Sequence, residues 1–254
     1  TPDAPANDFI KVPMEIGVGN IPATDLKDAY TYIDKLEAFY NDESLAYWLN
    51  ESTMNADGTN NNEHQNDMEN LYRDFMSVTG NSHTGAKLYN NLYPAGGTTK
   101  AFCRNLARGS LFNFYLGHAD ATGLNDEFWK FSKEQLLYNN RLGFMLFGGC
   151  TITAFDNNYR GSGESLVFHP REGLVGGFMS TRSAYSYSNF VMIDLLMRSL
   201  LLETPKDQTP ISRPITIGEA YARTKTAYQN NSNKLAYVLI SDTALTLPVA
   251  SADI

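Results

Sequence analysis

Two stretches of this chain run from apolar residues into glycine and then into a reactive side chain. One is Leu111-Phe112-Asn113-Phe114-Tyr115-Leu116-Gly117-His118. The other is Phe144-Met145-Leu146-Phe147-Gly148-Gly149-Cys150. A thiol with an imidazole beside it can perform nucleophilic acyl chemistry. The imidazole stabilises the thiolate, and later protonates the leaving amine. Glycine just before each group lets a second backbone approach closely. Each residue alone also fits a plainer role. A histidine after a strand is commonly a hydrogen-bonded or surface residue, and a cysteine at a strand end is commonly a buried apolar one. Their matching positions make the pair a candidate. The amides of Cys150 and Ala119 would supply N–H donors for an oxyanion in the same space. No Cys-x-x-Cys or His-x-x-x-His spacing accompanies the pair, so neither a metal nor another cofactor is expected.

Such a pair needs neighbouring strands to carry it. His118 and Cys150 are 32 positions apart, room for one crossover connection. The wider pattern agrees. Thr24-Asp25 caps a helix with Leu26, Ala29, Tyr30, Ile33, Leu36 and Phe39 on one face. Further helices are predicted over Glu63–Val78, Thr98–Arg108, Phe131–Leu137, Ser162–Phe168, Ser188–Leu202 and Ile217–Tyr228. Strands are predicted over Met14–Gly19, Leu45–Met54, Lys87–Tyr93, Leu111–Leu116, Leu142–Phe147, Leu174–Met179 and Leu235–Ile240, with a polar loop over Asn55–Asn62. Strands alternating with helices, several apolar on both faces, imply an α/β fold with a mostly parallel sheet covered on both sides. Open sheets of this kind place their chemistry beyond the carboxyl ends of the strands.

The bulk properties narrow the partners. The net charge of −8 and the scattered basic residues exclude a nucleic-acid surface. No apolar run is long enough for a transmembrane segment; Phe190–Leu202 is interrupted by Asp194 and Arg198. Residues 1–13 read as an N-terminal arm or linker. The two cysteines, Cys103 and Cys150, leave a disulfide open, although Cys103 in its helical run reads as a buried apolar residue. His83 and His169 read as surface residues. Glu164 and Arg182 read as a structural ion pair or helix cap.

Beyond the pair itself, several stretches resemble peptidase family C25, the gingipains and their relatives. They are Gly117-His118, Cys150-Thr151-Ile152-Thr153-Ala154-Phe155-Asp156, Gly161 to Val167, Gly173 to Arg182, and Tyr185 to Asn189. Within the family they look most like the PorU-type sortase of the type IX secretion system of Bacteroidetes. Ile16 to Ala23 and Leu239 to Pro248 extend the likeness, which runs over 14–250 as one catalytic domain. The resemblance implies a caspase-like three-layer sandwich, with the family's first subdomain preceding this segment. It implies a cysteine endopeptidase or sortase-like transpeptidase acting on the C-terminal signal domains of secreted proteins. The partners would be peptide or protein substrates and other outer-membrane secretion components, at the cell surface or in secreted form. A catalytically inactive docking module of the same fold is the alternative.

The resemblance also assigns roles. Cys150 matches the nucleophile and His118 the general acid–base. Asp57, in Asn55-Ala56-Asp57-Gly58, falls where the family places an acidic residue that orients the histidine; its plainer role is a turn residue before glycine. Asn61 and His64 would line the substrate cleft. Arginine gingipains carry an acidic residue where Asn60, Asn61 and Asn62 stand here. A neutral amide cannot pair with a buried guanidinium, so arginine specificity is not expected. Ala119 replaces the glycine that usually follows the histidine.

Overall fold

Apolar runs without alternation suit a sheet buried on both faces. The computed structural model describes residues 13–41, 47–94, 96–125, 128–130, 136–138, 140–202, 215–228 and 233–249. Its strands are β1 (Glu51–Ala56), β2 (Thr84–Tyr89), β3 (Phe112–Leu116), β4 (Ala119–Asp120), β5 (Gly123–Leu124), β6 (Gly143–Gly148), β7 (Leu174–Ser180) and β8 (Tyr237–Ile240). Six of them form one sheet in the order β2-β1-β3-β6-β7-β8, while β4 and β5 make a separate hairpin. All neighbours in the large sheet are parallel except β8, which runs antiparallel to β7.

The helices are α1 (Leu26–Tyr40), α2 (Thr59–Thr79), α3 (Gly97–Arg108), α4 (Ser162–Phe168), α5 (Ser186–Leu201), α6 (Ile217–Ala227) and the single turn α7 (Asn233–Ala236). α2, α5 and α6 pack side by side on one face, and α1 and α4 lie against β7 from the other. β7 shows the alternation that this requires. Phe178 meets Tyr221 of α6, while the next residue, Met179, reaches Gly163 of α4. The result is the three-layer α/β sandwich expected from the sequence.

Several expectations shift. Met14–Gly19 is not a strand; Gly19 makes only a bridge to Leu239, and Ile16 and Val18 are exposed. A run this short that stays outside the sheet has no ladder to extend. The strand expected over Leu45–Met54 begins late: Tyr47–Asn50 is a 3₁₀ turn, and β1 continues to Ala56. The expected loop over Asn55–Asn62 contains the end of β1 and the start of α2. There Asn61 and Asn62 take φ of 54° and 63°, which asparagine tolerates better than most residues. The helix expected over Phe131–Leu137 lies mostly outside the described residues, and Leu136 and Leu137 are not helical. Residues 1–12 also lie outside them. His83 is buried rather than exposed, packed against Phe75 and Phe112. Cys103 and Cys150 are both free, so no disulfide joins them.

Buried polar contacts fasten α1 and α4. Lys35 of α1 is buried, and its Nζ donates to the carbonyls of Leu166, Val167, His169 and Glu172 at 2.7–3.3 Å. It thereby caps carbonyls that the end of α4 leaves open. At the other end, Asp28 accepts from Thr24 N and Oγ1 at 2.9 and 2.7 Å and pairs with Arg160. Burial alone would push the Asp28 carboxyl up. The hydrogen bonds from Arg160 and Thr24 outweigh it and hold the carboxyl down at about 2, against an ordinary 3.8. A folded-state pKa below the unfolded one gives stability that is present above about pH 4 and lost as pH falls through about 2. Asp28→Asn should therefore cost on the order of 1 kcal/mol near neutral pH, with most of that difference gone by about pH 2. Urea unfolding of both chains at the two pH values checks this. An equal loss at both would contradict it.

Candidate active site

The order of strand addition reverses between β1 and β3: β2 lies to one side of β1, and β3, β6 and β7 follow on the other. A crevice forms at the carboxyl ends of strands where such a reversal occurs. Asp57 leaves β1 there, His118 leaves β3, and Cys150 leaves β6. The register sets Leu116 beside Gly148, and Gly117 N donates to Gly148 O at 3.0 Å. The two strands thus stay paired until the residues just before the histidine and the thiol. The glycines are needed for this closeness. A Cβ on Gly149 would sit 2.6 Å from Gly117 O, and one on Gly117 would sit 2.6 Å from Asp57 Cβ.

The backbone of His118 is gripped on both sides. Its N–H donates to Asp57 Oδ2 at 3.2 Å, and its carbonyl accepts from the Tyr115 hydroxyl at 2.6 Å. Asp57 is completely buried. Its carboxylate also accepts from Thr59 N at 2.9 Å and from Asn125 Nδ2 at 2.8 Å. Burial pushes the Asp57 carboxyl up, but the hydrogen bonds from Thr59, Asn125 and His118 outweigh it and hold it below the usual carboxylate range. Asp57 is therefore more than a turn residue, and it acts on the histidine through the main chain. The His118 side chain itself is exposed, while Cys150 is half-buried with its Sγ 3.6 Å from Ala184 O.

His64 of α2 stands edge-on to His118, with ring centroids 5.4 Å apart and planes at 90°. It is 6% exposed, and its Nδ1 lies 3.4 Å from Ser186 Oγ at the start of α5. Burial lowers its pKa, Asp57 opposes this, and His118 lowers it further. A neutral ring therefore walls this side of His118 near neutral pH. Asn61 is exposed on the first turn of α2, and Asn62 accepts from Asn91 Nδ2 at 3.1 Å. Ala119 opens the β4–β5 hairpin beside a depression of about 430 Å³ lined by His118, Asp120, Asn125 and Lys130. Tyr185 and Tyr187, 68% and 71% exposed, follow Ala184 and lie near the thiol in the chain path. Glu164 caps α4 by accepting from Gly161 N at 2.6 Å. Arg182 instead pairs with Asp156 at the surface.

The model of peptidase family C25 matches residues 6–248. The chain belongs to that family. Solved structures share the C25 fold. A crystal structure described as the Arg-specific cysteine proteinase gingipain R has 17% identity and a TM-score of 0.73 over 92% of this chain and 56% of its own. A complex of the Porphyromonas gingivalis RgpB pro- and mature domains has 18% identity and a TM-score of 0.73, over 92% of this chain and 57% of its own. A further structure titled as a protease has 14% identity and a TM-score of 0.70, over 91% and 56%. The chain thus spans little more than half the length of the solved structures it matches. No curated protein matches it.

Sequence reasoning missed the groups that hold this C25 site from behind: Tyr115, Asn125, Ser180, Asn189, Asn233 and Tyr237. For Tyr115, Ser180 and Tyr237 the available signal was a polar group at the end of, or inside, an otherwise apolar run; Asn125 and Asn233 stand in polar stretches that carry no such signal. Asp57 gives the sharpest test. Asp57→Ala leaves the Thr59 and His118 N–H groups without their acceptor. It should cost about 2–3 kcal/mol of stability, and the His118 amide should exchange with solvent faster relative to the rest of β3. Unchanged protection of that amide would contradict the clamp.

Proposed function

We propose that this chain is a cysteine endopeptidase with Cys150 as nucleophile and His118 as general acid–base. One observation carries the reading: β3 and β6 pair in parallel up to the residues just before an exposed His118 and a half-buried Cys150. Membership of family C25 supports it. The Cys150 thiolate attacks the scissile carbonyl carbon, forming the C–S bond while the C=O π pair moves onto oxygen. Backbone N–H groups of Cys150 and Ala119 receive that oxyanion. The carbonyl re-forms as the C–N bond breaks, and the His118 imidazolium gives its proton to the departing amine. Water then attacks the thioester and loses a proton to His118, and the C–S bond breaks to return the thiolate.

The finer reading is a sortase-like enzyme that removes C-terminal signal domains from secreted proteins at the cell surface, in contact with secretion components. It rests on the resemblance drawn from the Cys150–Asp156 and Gly173–Arg182 stretches of the sequence. In that case an amine replaces water in the second step. One solved neighbour is described as Arg-specific. Here Asn60, Asn61 and Asn62 stand where the acidic partner of an arginine would be, so an uncharged side chain is the expected preference.

Cys150→Ala should stay folded and lose turnover by roughly a thousandfold or more. His118→Ala should slow alkylation of Cys150 by iodoacetamide near neutral pH by on the order of tenfold. Undiminished peptide cleavage in Cys150→Ala would contradict the mechanism. Adding a glycine-derived amine during cleavage separates the two outcomes. Amide products support the sortase reading, and free acids alone contradict it.

A further inference from the structure

Both sides of the candidate nucleophile are fastened to one buried serine. Ser180 is the last residue of β7 and is fully buried. Its hydroxyl donates to Gly149 O at 2.8 Å, just before Cys150. Its own carbonyl accepts from Ile152 N at 3.2 Å and Thr153 N at 3.1 Å, just after Cys150. Tyr237, the register partner of Ser180 on β8, completes the arrangement. Its buried phenol accepts from Gly149 N at 3.2 Å and donates to Asn189 Oδ1 at 2.8 Å. Asn189 in turn accepts from Asn233, which bonds both backbone groups of Tyr185 on the other flank of the thiol.

We propose that Ser180, assisted by Tyr237, is a positioning residue that aims the Cys150 N–H at the oxyanion. The proposal rests on the peptidase reading above. In a trans peptide, the carbonyl of one residue and the N–H of the next lie in one plane and point in opposite directions within it. Ser180 draws the Gly149 carbonyl inward to the end of β7. The Cys150 N–H in the same plane is therefore turned outward. Tyr237 takes the Gly149 N–H, so that donor serves the fold and not the substrate. Both hydroxyls bond the main chain of Gly149, one residue before the thiol. Their effect is confined to steps in which negative charge develops on the carbonyl oxygen, where a prealigned donor is worth most.

Alkylation of the thiolate by iodoacetamide forms no oxyanion, and this separates aim from dyad and from fold. In the full chain, Ser180→Ala should lower kcat for a peptide that the wild type cleaves by roughly 10–100-fold, with KM changed by less than about threefold. The alkylation rate of Cys150 and its pH midpoint should stay within about twofold. Ser180→Thr, which keeps the hydroxyl, should recover most of kcat. Tyr237→Phe should show a smaller loss of the same kind, and it carries the test should Ser180→Ala not fold. Full kcat in the folded variants would overturn the assignment. So would alkylation that falls in step with kcat, since the effect would then lie on the dyad or the fold. Undiminished turnover in Cys150→Ala would overturn the peptidase reading itself and this assignment with it. Full activity in Ser180→Ala and Tyr237→Phe alone would leave the peptidase reading standing.

Discussion

The parallel pairing of β3 with β6 is the constraint on which the site depends. It runs in register from Phe112↔Phe144 to Leu116↔Gly148, and one more hydrogen bond, Gly117 N to Gly148 O, carries it past the strand ends. Side-chain packing fixes the same register, since a slip of one residue would turn every side chain to the wrong face. Tyr115 and Phe147, opposite each other in that ladder, stack with centroids 5.4 Å apart and planes at 3°. The core of the sheet and the spacing of the reactive groups are thus one feature. A protein that buries these rings in this register must bring residues 118 and 150 out side by side.

Beyond that pairing, the site is held by main-chain contacts from buried side chains. Asp57 and Tyr115 grip the two backbone groups of His118, while Ser180 and Tyr237 grip those of Gly149. Each of these four side chains is buried. A buried polar group left without a partner is costly, so each clamp contributes to stability as well as geometry. These contacts are made to main-chain atoms, so they set the path of the backbone at His118 and just before Cys150. They also give the fold a direct hold on the direction in which backbone N–H donors point.

Much of this was legible in the sequence. The run Leu111–Leu116, apolar but for Asn113, and the run Leu142–Phe147 read as strands of a buried parallel sheet, and Gly-His and Gly-Cys beyond their ends read as a site. Ser162–Phe168 was read to the residue, because glycine before it and His169-Pro170 after it bound the helix. β1 was harder. Glu51-Ser52-Thr53-Met54-Asn55-Ala56 is mostly polar in type yet almost wholly buried; inside the sheet Thr53 Oγ1 donates to Asn113, and Asn55 Nδ2 donates to Thr53 Oγ1 and the Phe114 carbonyl. No periodicity announces a strand of that kind. His83 was illegible for the same reason: a polar type at a buried position, among the rings of Phe75 and Phe112. The clamps on Gly149 were illegible because Ser180 and Tyr237 come 31 and 88 positions later in the chain and meet it only through the order of β6, β7 and β8.

The central claim is that Cys150 forms a covalent acyl intermediate. Acid quenching of the chain during cleavage of a peptide ester, followed by mass spectrometry of the digested protein, tests it most directly. The account predicts an acyl group of the substrate's mass on Cys150, absent from Cys103 and lost on longer incubation before the quench. Cleavage that proceeds with no acyl group on Cys150 at any time point, or with the group on another residue, would contradict it.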